Sequence, residues 1–255
     1  MRNLLSEMTP HATVVHRASL WAVTFIVVGM LDVPGADHTG WTIEESFGTT
    51  IEHPAGSALN GKPFEDAPSG TKWKAGNKIT LARGGYAAYD GSEAQTNATA
   101  TVPILHDASD DAIYTLTADI LLKDSLFMAI GLLSDHRGFF QDGQVWLMVR
   151  HGGKYTLIAD GMDTEDRISN KPGEAFNYRE KNRVTLIYDS GNKTVTVKYN
   201  GRVALEDHDL SPFADEFNIA RVGFAHYTGA EATSKDVHEV HGFKLNITDP
   251  TADAE

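Results

Sequence analysis

The amino-acid sequence predicts an all-β protein, a two-sheet antiparallel jelly-roll sandwich that forms a single domain after an N-terminal signal segment. Three observations lead to this prediction. Short runs of alternating apolar and polar residues recur from residue 41 to residue 247. Gly, Asn and Asp interrupt these runs at short intervals, as turns between strands do. After residue 36, no stretch keeps a helical period long enough to predict a major helix.

The strands are predicted from these runs in chain order. Residues 41–47 form the first strand, and 48–77, rich in Gly, Pro, Ser and Asn, are predicted as irregular crossing segments. Further strands are predicted at 78–82, 98–105, 113–122, 126–133, 145–151 and 155–159, a short helical turn at 212–217, and closing strands at 218–227 and 237–247. About eleven or twelve strands exceed the number in an immunoglobulin-type sandwich and favour a jelly roll.

The clearest local prediction is a β-hairpin. Every second residue is apolar or aromatic in 184–188 and again in 195–199, so each strand has one face suited to the core. Residues 190–192 (SGN) form the turn between them. Asn200-Gly201 then predicts a second tight turn, into a strand at 202–205.

Charge and composition restrict the partners. The formal net charge of the 255 residues is -13, which argues against nucleic acid and against an anionic membrane surface. Neutral sugars or cationic partners fit this charge. The chain has no cysteine, which excludes disulfides, Cys-based zinc sites and thiol catalysis.

Residues 1–36 are predicted to be a signal peptide or an N-terminal anchor. His16-Arg17 precedes the apolar stretch 18–31, and small residues precede a cleavage position near Ala36. This stretch is shorter than the about 20 apolar residues of a transmembrane helix, so we expect no membrane association beyond the export segment. Because extracellular animal modules usually contain disulfides, we expect a bacterial protein that is secreted, periplasmic or at the cell surface. The domain then spans 37–248, followed by an acidic tail at 249–255.

Several stretches carry a resemblance to a known superfamily. Leu-Asn-Gly followed by Trp occurs in residues 58–74 (ALNGKPFEDAPSGTKWK). A predicted strand pair follows at 113–133, a late hairpin at 182–206, and the closing pair of strands at 218–247. In this order they resemble the concanavalin A-like lectin/glucanase superfamily, including laminin G-like modules. The resemblance implies a jelly roll whose concave sheet or edge loops bind glycans. The superfamily also includes glycoside hydrolases, polysaccharide lyases and adhesion modules, so it leaves the activity open.

Glycoside hydrolysis normally requires two carboxylates that face each other across the sugar. The superfamily's hydrolases carry Glu-x-Asp-x-Glu, whose spacing places carboxylates on one face of a strand, and this sequence lacks it. The nearest approximation is the acidic loop formed by Asp160, Asp163, Glu165 and Asp166. It is interpreted first as a solvated loop, with a calcium site and a catalytic pair as alternatives.

Two histidine patterns invite a chemical interpretation. His238 and His241 are three residues apart, and on a strand their rings would point to opposite faces, so no metal site is predicted. His226 and Tyr227 end a predicted strand, and such a pair can serve a lyase as base and acid. The alternative is a strand-end Tyr that buries its ring and exposes its hydroxyl.

The loop 135–142 (DHRGFFQD) combines charge, aromatic rings and Gly between two strands, a composition suited to sugar binding. On the next strand, alternation places Val145, Leu147 and Val149 toward the core and Trp146, Met148 and Arg150 on the other face. The predicted ligand-binding residues are Asp135, His136, Arg137, Phe140, Trp146 and Arg150. The alternative is that Trp146 packs under a neighbouring loop and Arg150 forms an ordinary surface ion pair.

The function that we expect is a secreted, non-catalytic carbohydrate-binding module whose ligand is a polysaccharide or another glycan. No cofactor is predicted, apart from the alternative of calcium in the acidic loop. A polysaccharide lyase or glycoside hydrolase on the same fold is the second hypothesis. Its catalytic residues would be His136, Arg150, His226 and Tyr227. An extracellular module that binds protein is the third hypothesis.

Overall fold

The structure is a computed structural model of the full chain. It describes residues 40–68, 70–76, 78–90, 97–123, 127–135, 139, 143–170, 175–177, 180–213, 217–227 and 238–250. The predicted signal segment 1–36 lies outside these residues. A short 3-10 helix spans His151–Gly153. In the described part of the chain, no helix has the length and apolar character needed to cross a membrane.

Fifteen strands of the described residues form two antiparallel sheets. One sheet has eight strands: β1 (Gly40–Glu45), β3 (Ile79–Ala82), β4 (Tyr86–Tyr89), β6 (Ile113–Leu121), β11 (Lys181–Asp189), β12 (Thr194–Tyr199), β13 (Arg202–Asp209) and β15 (Glu239–Thr248). The other has seven: β2 (Lys74–Ala75), β5 (Asn97–Pro103), β7 (Phe127–Leu133), β8 (Gly143–Arg150), β9 (Tyr155–Ala159), β10 (Ile168–Asn170) and β14 (Arg221–Tyr227). The predicted all-β sandwich is confirmed.

The strand order is that of a sandwich with long crossovers. The eight-stranded sheet runs β13-β12-β11-β6-β15-β4-β3, with β1 paired to the C-terminal half of β15. The seven-stranded sheet runs β10-β9-β8-β7-β14-β5-β2. Consecutive strands therefore often lie in different sheets, which gives the structure its many non-local contacts.

The main core lies between the inner faces of the two sheets. On β6 and β11 every second residue is buried, as the alternation predicts. Leu116 and Leu186 from the eight-stranded sheet meet Leu147 and Phe224 from the other, all fully buried. Each such side chain contributes about 1.5–3 kcal/mol by leaving water. The hairpin predicted at 184–199 is confirmed by its register, and both Asn200 and Gly201 have the positive φ of the predicted turn.

A second apolar cluster covers the outer face of the seven-stranded sheet. Its members are buried although they point away from the main core: Ala129, Leu133, Phe139, Trp146, Met148, Ile158 and Ala225. This cluster explains why β7 and β8 are apolar at nearly every position instead of alternating.

A buried polar network fixes the irregular segment 48–77. Glu45, at the end of β1, accepts hydrogen bonds from Lys62 Nζ at 2.8 Å and Trp73 Nε1 at 3.0 Å. Burial raises the pKa of Glu45 despite these bonds. Burial also acts to raise the pKa of Glu65, but hydrogen bonds from Ser46 and the Lys62 charge prevail and lower it to about 2. The predicted irregular segment thus has a defined path that polar contacts set.

Three observed strands were not predicted. β2 has two residues, β4 (YAAY) follows a Gly-Gly turn, and β10 has one apolar residue in three. Each is too short or too polar to show a period of two, and pairing with a longer neighbour stabilises it.

Candidate ligand-binding cleft

Three connections meet at one end of the sandwich and enclose a cleft of about 470 Å³. They are the loop 106–111 before β6, the turn 190–193 between β11 and β12, and the segment 217–219 before β14. The loop 106–111 leads from β5 of the seven-stranded sheet to β6 of the eight-stranded sheet, and the turn 190–193 joins two strands of the eight-stranded sheet. The segment 217–219 leads into the seven-stranded sheet. The cleft is therefore the open end of the space between the sheets.

Two tyrosines form the inner wall of this cleft. Tyr114 and Tyr188 are direct cross-strand partners on the inner faces of β6 and β11, with ring centroids 6.3 Å apart. The edge of Phe217 packs on Tyr188 at 5.4 Å. Tyr114 is 7% exposed and Tyr188 is 3% exposed, and neither hydroxyl forms a hydrogen bond with another described residue. Burial raises the pKa of Tyr114, and it raises the pKa of Tyr188 to about 12, with Tyr114 and Asp189 contributing.

The outer wall of the cleft is acidic. Asp107, Asp110 and Asp111 are exposed, and their carboxylates make no ion pair or side-chain hydrogen bond with other described residues. Among the described residues that line the cleft, Lys193 carries the positive charge. The cleft therefore has a negative balance, which attracts cations and suits donors of hydrogen bonds.

The acidic loop of the cleft is held in place by Asp249, the first residue of the predicted acidic tail. Its carboxylate accepts hydrogen bonds from Ser109 N at 2.9 Å and Ser109 Oγ at 2.8 Å, and it lies 3.0 Å from His106 Nε2. Burial acts to raise the pKa of Asp249, but these hydrogen bonds outweigh it and hold the pKa below its usual value. On the other side, Ser190 Oγ donates to the carbonyls of Asp110 and Ala112, each at 2.7 Å. The loop is thus positioned before any ligand binds.

Of the ligand-binding residues predicted from the sequence, Asp135 lies at the cleft end of the sandwich, exposed just after β7. His136, Arg137 and Phe140 lie outside the described residues. Nearby, Asn218 N donates to Gln144 Oε1 at 2.8 Å, which ties the cleft segment to the start of β8.

Trp146 and Arg150 lie on the predicted face of β8, but away from the cleft. Trp146 is 5% exposed and packs edge-on against Phe139 at 6.1 Å, which corresponds to the alternative in which it lies under a neighbouring loop. Arg150 is exposed at the far end of β8, opposite Phe127. It lies about 20 Å from Asp135, the length of a seven-residue strand, so the two do not form one site.

His226 and Tyr227 do not form a base and acid pair, because consecutive strand residues point to opposite faces. His226 faces the core, 1% exposed, with its ring 5.6 Å from Phe224 and 6.3 Å from His238. Tyr227 lies on the outer face and stacks on Phe127 at 4.8 Å. The residues of the enzyme hypothesis that the structure describes, Arg150 included, are therefore not assembled in one groove.

The acidic loop after β9 shows no convergence of ligands. Asp160, Asp163, Glu165 and Asp166 are all exposed, and Gln144 Nε2 donates to Asp160 Oδ2 at 3.3 Å. In the described ranges, no three acidic or histidine side chains are grouped as a metal site requires. Calcium binding at this loop stays a prediction.

His238 and His241 point apart, as their spacing on a strand predicts. His238 Nδ1 accepts a hydrogen bond from Lys123 N at 3.0 Å on the inner side of β15. His241 Nε2 lies 2.8 Å from Glu239 Oε2, and its ring contacts Tyr86.

Sequence reasoning missed the cleft because its acidic wall lies in a connection, outside any strand pattern. Two signals were present. Residues 106–111 (HDASDD) concentrate three Asp and a Ser immediately before a strand. Tyr114 and Tyr188 occupy inward positions at strand ends, where a purely structural core favours Leu, Val or Ile.

No protein-family model matches the sequence, and none of the curated proteins matches it. Solved structures with similar folds include winged bean acidic lectin in complex with methyl-α-D-galactose, 10% identical with a TM-score of 0.55 over 82% of this chain and 98% of that one. Arcelin-5, a lectin-like defense protein from Phaseolus vulgaris, is 13% identical with a TM-score of 0.55 over 83% and 99%. The Emp47p carbohydrate recognition domain is 12% identical with a TM-score of 0.52 over 78% and 96%.

The domain has the concanavalin A-like lectin fold. The resemblance noted in the sequence is thereby confirmed for the fold, including its two-sheet jelly-roll architecture. At identities of 10–13% the likeness concerns the fold alone.

Proposed function

We propose that the protein is a non-catalytic carbohydrate-binding module and that the cleft at the end of the sandwich is its glycan site. The observation that carries this proposal is the combination in one cleft of aromatic rings, unpaired carboxylates and unpartnered tyrosine hydroxyls. Apolar faces of sugar rings pack on aromatic rings, and sugar hydroxyls form hydrogen bonds with carboxylates and phenols.

The fold supports the same proposal. Winged bean acidic lectin, with methyl-α-D-galactose bound, and the Emp47p carbohydrate recognition domain share this architecture. Because one fold serves several functions, the proposal rests on the chemistry of the cleft. The export segment predicted at 1–36 supports a module that works in the periplasm, at the cell surface or outside a bacterial cell.

The test is a panel of neutral and acidic polysaccharides incubated with the protein, with retention and bond cleavage both followed. We expect retention without new reducing ends or unsaturated products. The variant Tyr188→Phe keeps the ring and removes the hydroxyl, and we expect retention to weaken about three- to tenfold, the effect of one neutral hydrogen bond.

The matched control is Arg150→Ala at the opposite end of the sandwich. We expect it to leave retention unchanged. Loss of retention in Arg150→Ala with none in Tyr188→Phe would move the glycan site to the end of the sandwich where Arg150 lies. Cleavage of any polysaccharide would overturn the non-catalytic proposal, and no retention at all would favour a protein ligand. Addition of a chelator in the same assay tests the calcium prediction for the 160–166 loop.

A further inference from the structure

We infer that the cleft selects glycans that carry free, protonated amines, such as oligomers of glucosamine, over their neutral N-acetylated forms. This inference rests on the proposed function of the same cleft and names its ligand class. It is supported by the charge of the cleft, by its unpartnered hydroxyls and by the rigidity of its acidic loop.

Three carboxylates and one lysine line the cleft, so negative charge exceeds positive charge among its described residues. Asp107, Asp110 and Asp111 fall within five residues, and no cation pairs with them in the described part of the chain. Three carboxylates along one loop give this wall a negative potential, which attracts an ammonium group. The net charge of -13 adds a long-range attraction for cationic chains.

The tyrosine hydroxyls give an independent indication of a ligand. Tyr114 and Tyr188 are more than nine-tenths buried, they line the cleft, and their hydroxyls have no hydrogen-bond partner among described residues. The two hydroxyl oxygens are not among the fully buried polar atoms that lack a partner, so they are open to the cleft and can form hydrogen bonds with a ligand. An ammonium group donates three hydrogen bonds and accepts none, so it can bind phenol and carboxylate oxygens together.

The acidic wall is also held rigid. Asp249 and Ser190 fix the loop from both sides, and the side chain of Asp111 lies against the β11–β12 turn. A Cβ atom built at Gly191 would lie 2.8 Å from Asp111 Oδ1 and 3.3 Å from Asp111 Cα, so the loop and the turn pack closely at this point. A carboxylate that is already in place loses little conformational entropy when a cation binds.

A chain of amines fits this wall better than a metal ion does. In the described residues, no three acidic or histidine side chains converge on one point. The carboxylates are instead distributed along the loop, and repeated amines on an oligosaccharide can meet several of them in turn. The rings of Tyr188 and Phe217 then lie beside the bound cations, where cation–π attraction adds to binding.

The test compares a glucosamine oligomer with the matching N-acetylglucosamine oligomer by isothermal titration calorimetry on the full chain, at about pH 5.5, where the sugar amines are protonated. We expect the amine oligomer to bind at least about fivefold more tightly, with a preference that shrinks as salt is added. The double variant Asp110→Asn/Asp111→Asn should weaken its binding about tenfold or more and leave binding of the neutral oligomer within about twofold.

The matched control is Glu180→Gln, which removes an exposed negative charge just before β11, at the far end of that strand from Tyr188. We expect it to bind both oligomers like the parent. Equal affinities of the protein for the two oligomers would overturn the inference. Equal losses of affinity for the amine oligomer in Glu180→Gln and in the double Asp variant would also overturn it, because they would show that the net charge alone attracts the oligomer. Binding of neutral glycans without amine preference would leave the proposed function standing, whereas an absence of binding to any glycan would refute both.

Discussion

His226 offers a sharp test of the packing between the two sheets. Its ring lies in the core beside Phe224 and His238, and neither ring nitrogen has a hydrogen-bond partner among the described residues. A protonated imidazole in this position would place an uncompensated charge in an apolar interior. Burial therefore lowers the pKa of His226 to about 4, from an ordinary value of 6.5.

The sign of the effect follows from the two pKa values. Between pH 6.5 and pH 4 the unfolded chain binds a proton at His226 that the folded protein does not, so stability falls as the pH is lowered through this range. The effect of this one group grows to about 2 kcal/mol at pH 5 and about 3 kcal/mol at pH 4. Above pH 6.5 the ring is neutral in both states and contributes no pH dependence.

The assay is urea unfolding of the parent and of His226→Leu at intervals from pH 8 to pH 5. The leucine is close in volume, needs no hydrogen bond and cannot be protonated. Between pH 8 and pH 5, we expect the free energy of unfolding of the parent to fall by about 2 kcal/mol more than that of the variant. At pH 5 the variant should be at least as stable as the parent. Restricting the range to pH 5 and above keeps most carboxylate titration out of the comparison.

The control is His53→Gln, which removes a half-buried histidine outside the core clusters. Its stability should depend on pH as that of the parent does. Parallel curves for the parent and His226→Leu would refute the reasoning, because they would show that the folded protein accommodates the protonated ring. An NMR titration that placed the pKa of His226 near 6.5 would refute it independently.

Two further predictions concern the buried network and the outer cluster. Lys62→Met leaves the Glu45 carboxylate buried without its cation, and we expect urea unfolding to show that the free energy of unfolding falls by about 3–5 kcal/mol. The control Lys244→Met breaks an exposed ion pair and should lower the free energy of unfolding by less than about 1 kcal/mol. Equal losses would show that burial does not control these pairs. Gly131→Ala would place a Cβ 2.3 Å from that of Trp146, and we expect thermal unfolding to show that the free energy of unfolding falls by about 2 kcal/mol or more. In the control Gly76→Ala, no atom beyond the adjacent residues lies within 4 Å of the new Cβ, and the free energy of unfolding should stay within about 1 kcal/mol of the parent value. Similar melting temperatures for the two alanine variants would contradict the close packing of the outer cluster.

The fold was largely predictable because the long strands carry their pattern in their own residues. The strands that contain Leu116 and Leu186 alternate over nine residues, and the turn at Asn200-Gly201 sets the next register. The short strands were not predictable, since Tyr86–Tyr89 forms a strand through pairing with distant neighbours. Sequence periodicity reports only what a segment does by itself.

The candidate site was much less predictable, because it joins residues that are far apart in the chain. Asp110 and Tyr188 line one cleft although 78 positions separate them, and Asp249 holds the loop from the last strand. Alternation correctly placed Trp146 on the outer face of its strand, but it cannot show that Phe139 covers the ring. Loops determine which faces of a sheet stay accessible, and the alternation of residues along a strand does not predict where the loops lie.

The chemistry of the two large faces explains why the end of the sandwich is the place to look for a ligand. The outer face of the seven-stranded sheet is apolar and buried around Trp146. The outer face of the eight-stranded sheet carries two ion pairs: Arg183 forms two hydrogen bonds of 2.8 Å with Asp119, and Lys244 binds Glu44 at 2.8 Å. At the cleft, in contrast, Asp107, Asp110 and Asp111 have no ion-pair partner among the described residues and lie next to partly enclosed tyrosine hydroxyls. The cleft differs from the exposed acidic loop 160–166 because its carboxylates lie beside aromatic rings and hydroxyls in one concave site, a combination suited to a ligand.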